Sequence, residues 1–181
     1  MQVFNLPNLL EYTESNSAQF VLGDGKSAMD VGSGDAAEYK FLTTHGARIE
    51  CRLAGLPDTQ ELQLLGNRAG LLSLSNVFLW FIANAWRREF FSLGELDFVC
   101  LDGPLSVCIR LADDGAVESH GILRRQDRGE MLEWVITEEG LTRVALWMHR
   151  LASNPAHEYD RLLVADGSEY GVHVRMSDAI D

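Results

Sequence analysis

Disulfide and zinc chemistry have little to work with in this chain. It holds three cysteines, Cys51, Cys100 and Cys108, an odd set with no C-x-x-C pair. Each lies in an apolar alternating run, where a free thiol behaves as a small hydrophobe. Basic residues are also few: 15 Lys and Arg stand against 27 Asp and Glu, which gives a net charge of −12 and a pI near 4.7. Affinity for a nucleic-acid backbone comes from Lys and Arg displacing counterions, so that class of partner is excluded. No two histidines have the i, i+4 spacing of a helical zinc site, and neither H-E-x-x-H nor G-x-S-x-G occurs. The expectation is a protein without catalytic residues, metal or cofactor. Met1 to Asn8 carry no Lys or Arg and no apolar core follows them, so a secretory signal is not indicated and a cytoplasmic location is expected.

A long hydrophobic run is nearly present. Ala69 to Trp86 is free of charge for 18 residues. As a helix it would extend about 27 Å at ~1.5 Å per residue, against a bilayer core of ~30 Å. Ser73, Ser75, Asn76 and Asn84 interrupt it, and Arg87, Arg88 and Glu89 follow at once. A buried central helix is therefore expected rather than a membrane span.

What remains is ordinary globular composition: 181 residues, 46% apolar and 23% charged. A chain of this size buries roughly 70% of its extended surface, enough for a core without staples. One domain over 1–181 is expected, with a Gly-rich flexible loop at 23–37. Asp-Gly turns recur at 24–25, 102–103, 114–115 and 166–167. Around them apolar residues alternate: Ile49, Cys51 and Leu53; Leu105, Val107, Ile109 and Leu111; Tyr170, Val172, Val174 and Met176. Period two with one wet face reads as half-buried antiparallel strands. Pairing neighbours predicts hairpins 39–44/47–53, 97–101/105–111 and 161–165/169–176, with shorter strands at 18–22, 61–65, 120–124 and 131–136.

Two helices break the strands. The first is predicted over about 68–91, with Asn67 as its N-cap and Leu74, Phe78 and Ile82 deep in the core. Leu72, Leu79 and Trp80 place apolar surface on its far side as well. The second is predicted over 138–153, with Thr137 as cap, Glu138 and Glu139 in a first turn that favours negative charge, and a stripe of Leu141, Val144, Ala145, Met148 and Leu151. Strands grouped around two helices predict an α+β fold: mainly antiparallel sheets built of hairpins and packed on both helices. No repeat of 20–50 residues is visible.

Fragments of known sites are weak. Gly23-Asp24-Gly25-Lys26-Ser27 echoes the end of a phosphate-binding loop, but Phe20 stands where its first glycine belongs. Asp30, Asp35 and Glu38 lack the spacing of a calcium loop. His157-Glu158-Tyr159-Asp160 reads as a surface hydrogen-bond cluster. His45 and His173 are expected to be exposed. Charge is the broader signal: from Asp102 onward 15 acids face eight arginines. Asp113, Asp114 and Glu118 cluster at one turn, and Glu138 and Glu139 open the second helix. These five are the candidate contacts for a basic protein partner. The alternative is a small-ligand module or enzyme with its site between the sheet and the first helix, where Phe78, Trp80, Phe81, Trp86, Phe90 and Phe91 concentrate.

Gly66-Asn67-Arg68-Ala69-Gly70-Leu71, leading into a long apolar helix, resembles a G-N-x-x-G-L turn in small immunity proteins of bacterial polymorphic toxin systems. The likeness covers residues 66–90. It implies a cytoplasmic, non-catalytic protein that binds and blocks a toxin, often through an acidic face.

Overall fold

The computed structural model describes residues 43–55, 60–85, 90–112, 121–126, 131–153, 159–162, 170–177 and 180. Among the described residues nine strands and two helices follow in order: β1 (Ile49–Ala54), β2 (Glu61–Gly66), α1 (Arg68–Ala83), β3 (Phe90–Ser92), a single 3-10 turn (Leu93–Glu95), β4 (Val99–Leu101), β5 (Ser106–Ala112), β6 (Ile122–Arg125), β7 (Met131–Thr137), α2 (Glu138–Ser153), β8 (Tyr159–Leu162) and β9 (Gly171–Met176). They form a five-stranded sheet, β4-β1-β2-β9-β8, and a four-stranded sheet, β3-β5-β7-β6. The fold is α+β. Four strand pairings are antiparallel and three, β1–β4, β2–β9 and β5–β7, are parallel.

The alternating runs place their side chains as their period dictates. Ile49, Cys51, Val107, Ile109, Val172 and Val174 are buried, while Glu50, Arg52, Arg110 and Arg175 point to solvent. The core draws on the inner faces of both sheets and on both helices. Each helix packs chiefly against the other. The α2 stripe is buried as its spacing predicts, although its main neighbour is α1 rather than a sheet. Along α1, Leu71, Leu72, Leu74, Val77, Phe78, Leu79 and Phe81 are all buried, so this helix has almost no wet face. Its two buried serines are paired: Ser73 Oγ donates to the Ala69 carbonyl (2.7 Å) and accepts from Thr44 N–H (2.9 Å), and Ser75 Oγ donates to the Ala145 carbonyl (2.7 Å).

Three expectations are corrected. The first helix stops at Ala83 rather than Phe91, and Ile82 is only half-buried. Asn84 ends it: its N–H bonds to the carbonyls of Trp80 and Phe81, and its side-chain amide donates to Trp80 again (2.9 Å). The chain then returns as β3, with the ring of Phe91 against that of Phe81 (centroids 5.6 Å apart). The predicted hairpin 97–101/105–111 is not a hairpin. β4 pairs parallel with β1 in one sheet, β5 belongs to the other, and the turn at Asp102-Gly103 (Gly103 φ +58°) carries the chain between sheets. Alternation specifies which face a strand buries, not its neighbour. For the same reason β1 takes β2 and β4 as its neighbours, and His45-Gly46 forms the expected turn (Ala47 N–H to Thr44 carbonyl, 3.0 Å), while 39–42 of the predicted hairpin 39–44/47–53 lie outside the described residues. The β8–β9 pairing is the expected antiparallel one, with β8 beginning two residues earlier than predicted. The predicted strand at 18–22 and loop at 23–37 lie outside the described residues.

The structure also contains a repeat that the 20–50-residue window does not see. The order β1-β2-α1-β3-β5 recurs as β6-β7-α2-β8-β9. Each half supplies its first two strands to one sheet and its last two to the other, so β1-β2-β9-β8 matches β6-β7-β5-β3 in neighbours and in strand sense. Registers coincide: Glu61↔Gly171 matches Met131↔Ser106, and Tyr159↔Arg175 matches Phe90↔Arg110. Both helices have 16 residues. A shift of 70 lays Asn67, Gly70 and Leu71 on Thr137, Gly140 and Leu141. Asn67 Oδ1 accepts from Gly70 N–H (2.8 Å) as Thr137 Oγ1 accepts from Gly140 N–H (3.1 Å). Ser75 and Ala145, which meet where the helices cross, occupy equivalent places. β4 is the strand without a counterpart among the described residues.

Candidate functional site

Of the five acidic candidates, Glu138 and Glu139 stand exposed in the first turn of α2, where the helix dipole favours negative charge. Glu139 also pairs with Arg143 one turn along. Such an exposed pair contributes little to stability, so Glu139 keeps the freedom to exchange partners. Asp113, Asp114 and Glu118 lie outside the described residues.

The titratable cluster that sequence reasoning passed over sits on the outer face of the four-stranded sheet. Strand β7 buries Leu132, Trp134 and Ile136 inward, and Glu133 falls on the opposite face. Despite that, Glu133 is only 6% exposed. Arg110 on β5 reaches its Oε1 at 3.0 Å, and Arg124 on β6 reaches its Oε2 with Nη2 at 3.0 Å and Nε at 3.2 Å. Burial alone would push the carboxyl up. Hydrogen bonds from Arg124 and Gln126 and the charges of Arg110 and Arg124 outweigh it and hold Glu133 below the usual carboxylate range. The signal was available in sequence: one acid in an otherwise apolar strand, with an arginine at an outward position of each neighbouring strand.

The depressed carboxyl fixes a pH dependence. A group with a lower pKa in the native state stabilises the fold above its unfolded pKa, and that contribution fades as pH falls through the native value. For Glu133 the loss starts below about pH 4.3, the ordinary glutamate value. His149, buried on α2, acts in the same direction: burial lowers its pKa, so its contribution starts to fade below about pH 6.5. Glu133→Gln is expected to cost about 1–3 kcal/mol at pH 7, because two arginines lose their counter-charge. Urea titrations at pH 7 and pH 3 should show the gap from wild type shrinking in acid; a gap equal at both would contradict the assignment.

The cysteines differ from one another. Cys51 is buried, and burial pushes its thiol up to about 12. Cys108 is half-buried in register with Glu133, and its thiol is raised by burial and by that carboxylate. Cys100 is exposed, which corrects its reading as a buried small hydrophobe. His45 is exposed as expected, whereas His173 is half-buried with Nδ1 3.7 Å from Glu61. Among the described residues, no group of three or more His, Cys, Asp or Glu is arranged to hold a metal ion. Nor is any described helix long and apolar enough to cross a membrane. The phosphate-loop echo, the carboxylates Asp30, Asp35 and Glu38, His157 and Trp86 lie outside the described residues.

The residues that carry the immunity-protein resemblance have structural duties. A Cβ on Gly70 would stand 2.1 Å from the Arg48 carbonyl oxygen, so the start of α1 sits hard against that backbone. Asn67 ties three segments together through four side-chain hydrogen bonds: the 46–48 turn, the start of α1 and the segment at Ile180. No protein-family model, no curated protein and no solved structure matches the chain.

Proposed function

We propose that this is a non-catalytic, acidic binding protein of the cytoplasm, an immunity-type inhibitor that covers a basic face of a toxin. The observation that carries the reading is the net charge of −12, with Glu138 and Glu139 presented to solvent from a helix start. Complementary charge steers encounter and rejects partners of the wrong sign. Asp113, Asp114 and Glu118 complete the contact surface in this reading. The resemblance at 66–90 supports the class of partner. Of the aromatic side chains that the ligand-site alternative relies on, Phe78, Phe81 and Phe91 are fully buried and Trp80 nearly so, whereas Phe90 is 58% exposed and Trp86 lies outside the described residues.

The test is reconstitution with the product of the adjacent reading frame. The proposal expects a complex that survives size exclusion at roughly 0.05 M salt and loss of the partner's toxicity on co-expression. Absence of both would overturn it. The charge reversal Glu138→Lys/Glu139→Lys is expected to weaken the complex about tenfold or more without unfolding the protein, since both positions are exposed.

A further inference from the structure

The two matching sheets carry matching polar rows on their outer faces, and one of the rows is incomplete. In the four-stranded sheet, Arg124, Glu133 and Cys108 share a cross-strand row, with Arg110 two residues beyond Cys108. The equivalent row of the five-stranded sheet is Arg52, Gln63 and His173, with Arg175 two residues beyond His173. Both arginines are retained. Even a hydrogen bond is retained: Arg52 Nε donates to Gln63 Oε1 at 3.2 Å, as Arg124 Nε donates to Glu133 Oε2 at 3.2 Å. The carboxylate between them is replaced by a neutral amide.

From this we infer that Arg52 and Arg175, on either side of Gln63, form a notch that binds a single carboxylate supplied from outside the chain. Among the described residues neither arginine is in an ion pair, and both are exposed. A guanidinium is a planar fork that matches a carboxylate in two-point contact, which favours this ligand over a spherical anion. The other charged groups on this face set its limits. Glu61 is engaged by His173 at 3.7 Å, and Glu50 is exposed on β1 opposite Leu65. Arg161 on β8 holds the register place opposite His173 in the same row, so three arginines against two carboxylates leave one positive charge, which suits a single added carboxylate. The notch is independent of the acidic turn of α2, so failure of the proposed toxin partnership would leave it standing.

The test is NMR of the arginine Nε–Hε groups in the full chain, titrated with acetate and, at equal ionic strength, with chloride. In wild type, Arg52 and Arg175 are expected to shift saturably at millimolar acetate and not with chloride. Gln63→Glu builds the missing carboxylate in and should abolish the response. Glu133→Gln should create it at Arg110 and Arg124. If Gln63→Glu does not fold, Arg175→Gln replaces it with the same expected loss. A blocked peptide with one Glu side chain distinguishes the sources: binding at least tenfold tighter than acetate assigns the carboxylate to a protein partner, and equal binding assigns it to a small molecule. No saturable response in wild type, or an undiminished response in Gln63→Glu, would overturn the inference.

Discussion

Phe78→Ala is expected to lower the unfolding free energy by about 3–5 kcal/mol, the range for truncating a buried aromatic. Phe78 is 0% exposed and belongs to a core that unites α1, α2 and both sheets, including Leu74, Leu141 and Val144. α1 is enclosed on nearly every side, so little backbone is free to collapse into the space left behind. The penalty therefore combines lost burial with a persistent cavity. With a total stability of about 5–15 kcal/mol for a native domain, the variant would sit close to unfolding at 37 °C. At roughly 2–4 °C per kcal/mol for a chain of this length, Tm should fall by about 10 °C. Urea unfolding with an unchanged m-value is the check. A loss below about 1 kcal/mol would mean that α1 is peripheral.

Asn67→Ala is the second large effect, expected at about 2–3 kcal/mol from a residue on no apolar face. Its Oδ1 accepts from Gly70 N–H at 2.8 Å and from Arg48 N–H at 3.2 Å, and its Nδ2 donates to the carbonyls of Gly46 at 2.8 Å and Ile180 at 3.2 Å. A plain N-cap is worth about 1 kcal/mol, and Thr137→Ala should cost that much at the equivalent place on α2. The excess at Asn67 measures the ties to the 46–48 turn and to the C-terminal segment. Asn67→Asp keeps the acceptor and loses the donors, so it should fall between wild type and alanine. If Asn67→Ala and Thr137→Ala cost the same, the additional bonds contribute nothing.

Much of the fold was legible because single-face burial leaves a period in sequence. The α2 boundaries, its cap and its buried stripe follow from Thr137, the paired glutamates and the i, i+3/i+4 spacing. Strands β1, β5 and β9 follow from alternation, and β2 and β7 from short apolar runs. What alternation cannot carry is partner choice, so it predicts a hairpin at Asp102-Gly103 where the chain changes sheet. The end of α1 was missed because the apolar run continues to Trp86, while the stop is set by one amide, Asn84, bonding back to Trp80. The internal repeat was hidden because the detected identity between halves is little more than Gly70-Leu71 against Gly140-Leu141, and the equivalence lies in pairing and register. In sequence Glu133 is one of 15 acids from Asp102 onward. Only the three-strand row that brings Arg110 and Arg124 onto it makes it a buried ion cluster.

For the proposed binding role, the decisive measurement is the association rate with a basic toxin partner recovered in that reconstitution, taken at about 0.05 M and 0.5 M salt. Screening shortens the reach of charge from roughly 14 Å to 4 Å over that range. An acidic face that steers a basic partner predicts a fall in the on-rate of about tenfold or more, with a smaller change in the off-rate. An on-rate that does not move with salt would contradict the role given to the carboxylates.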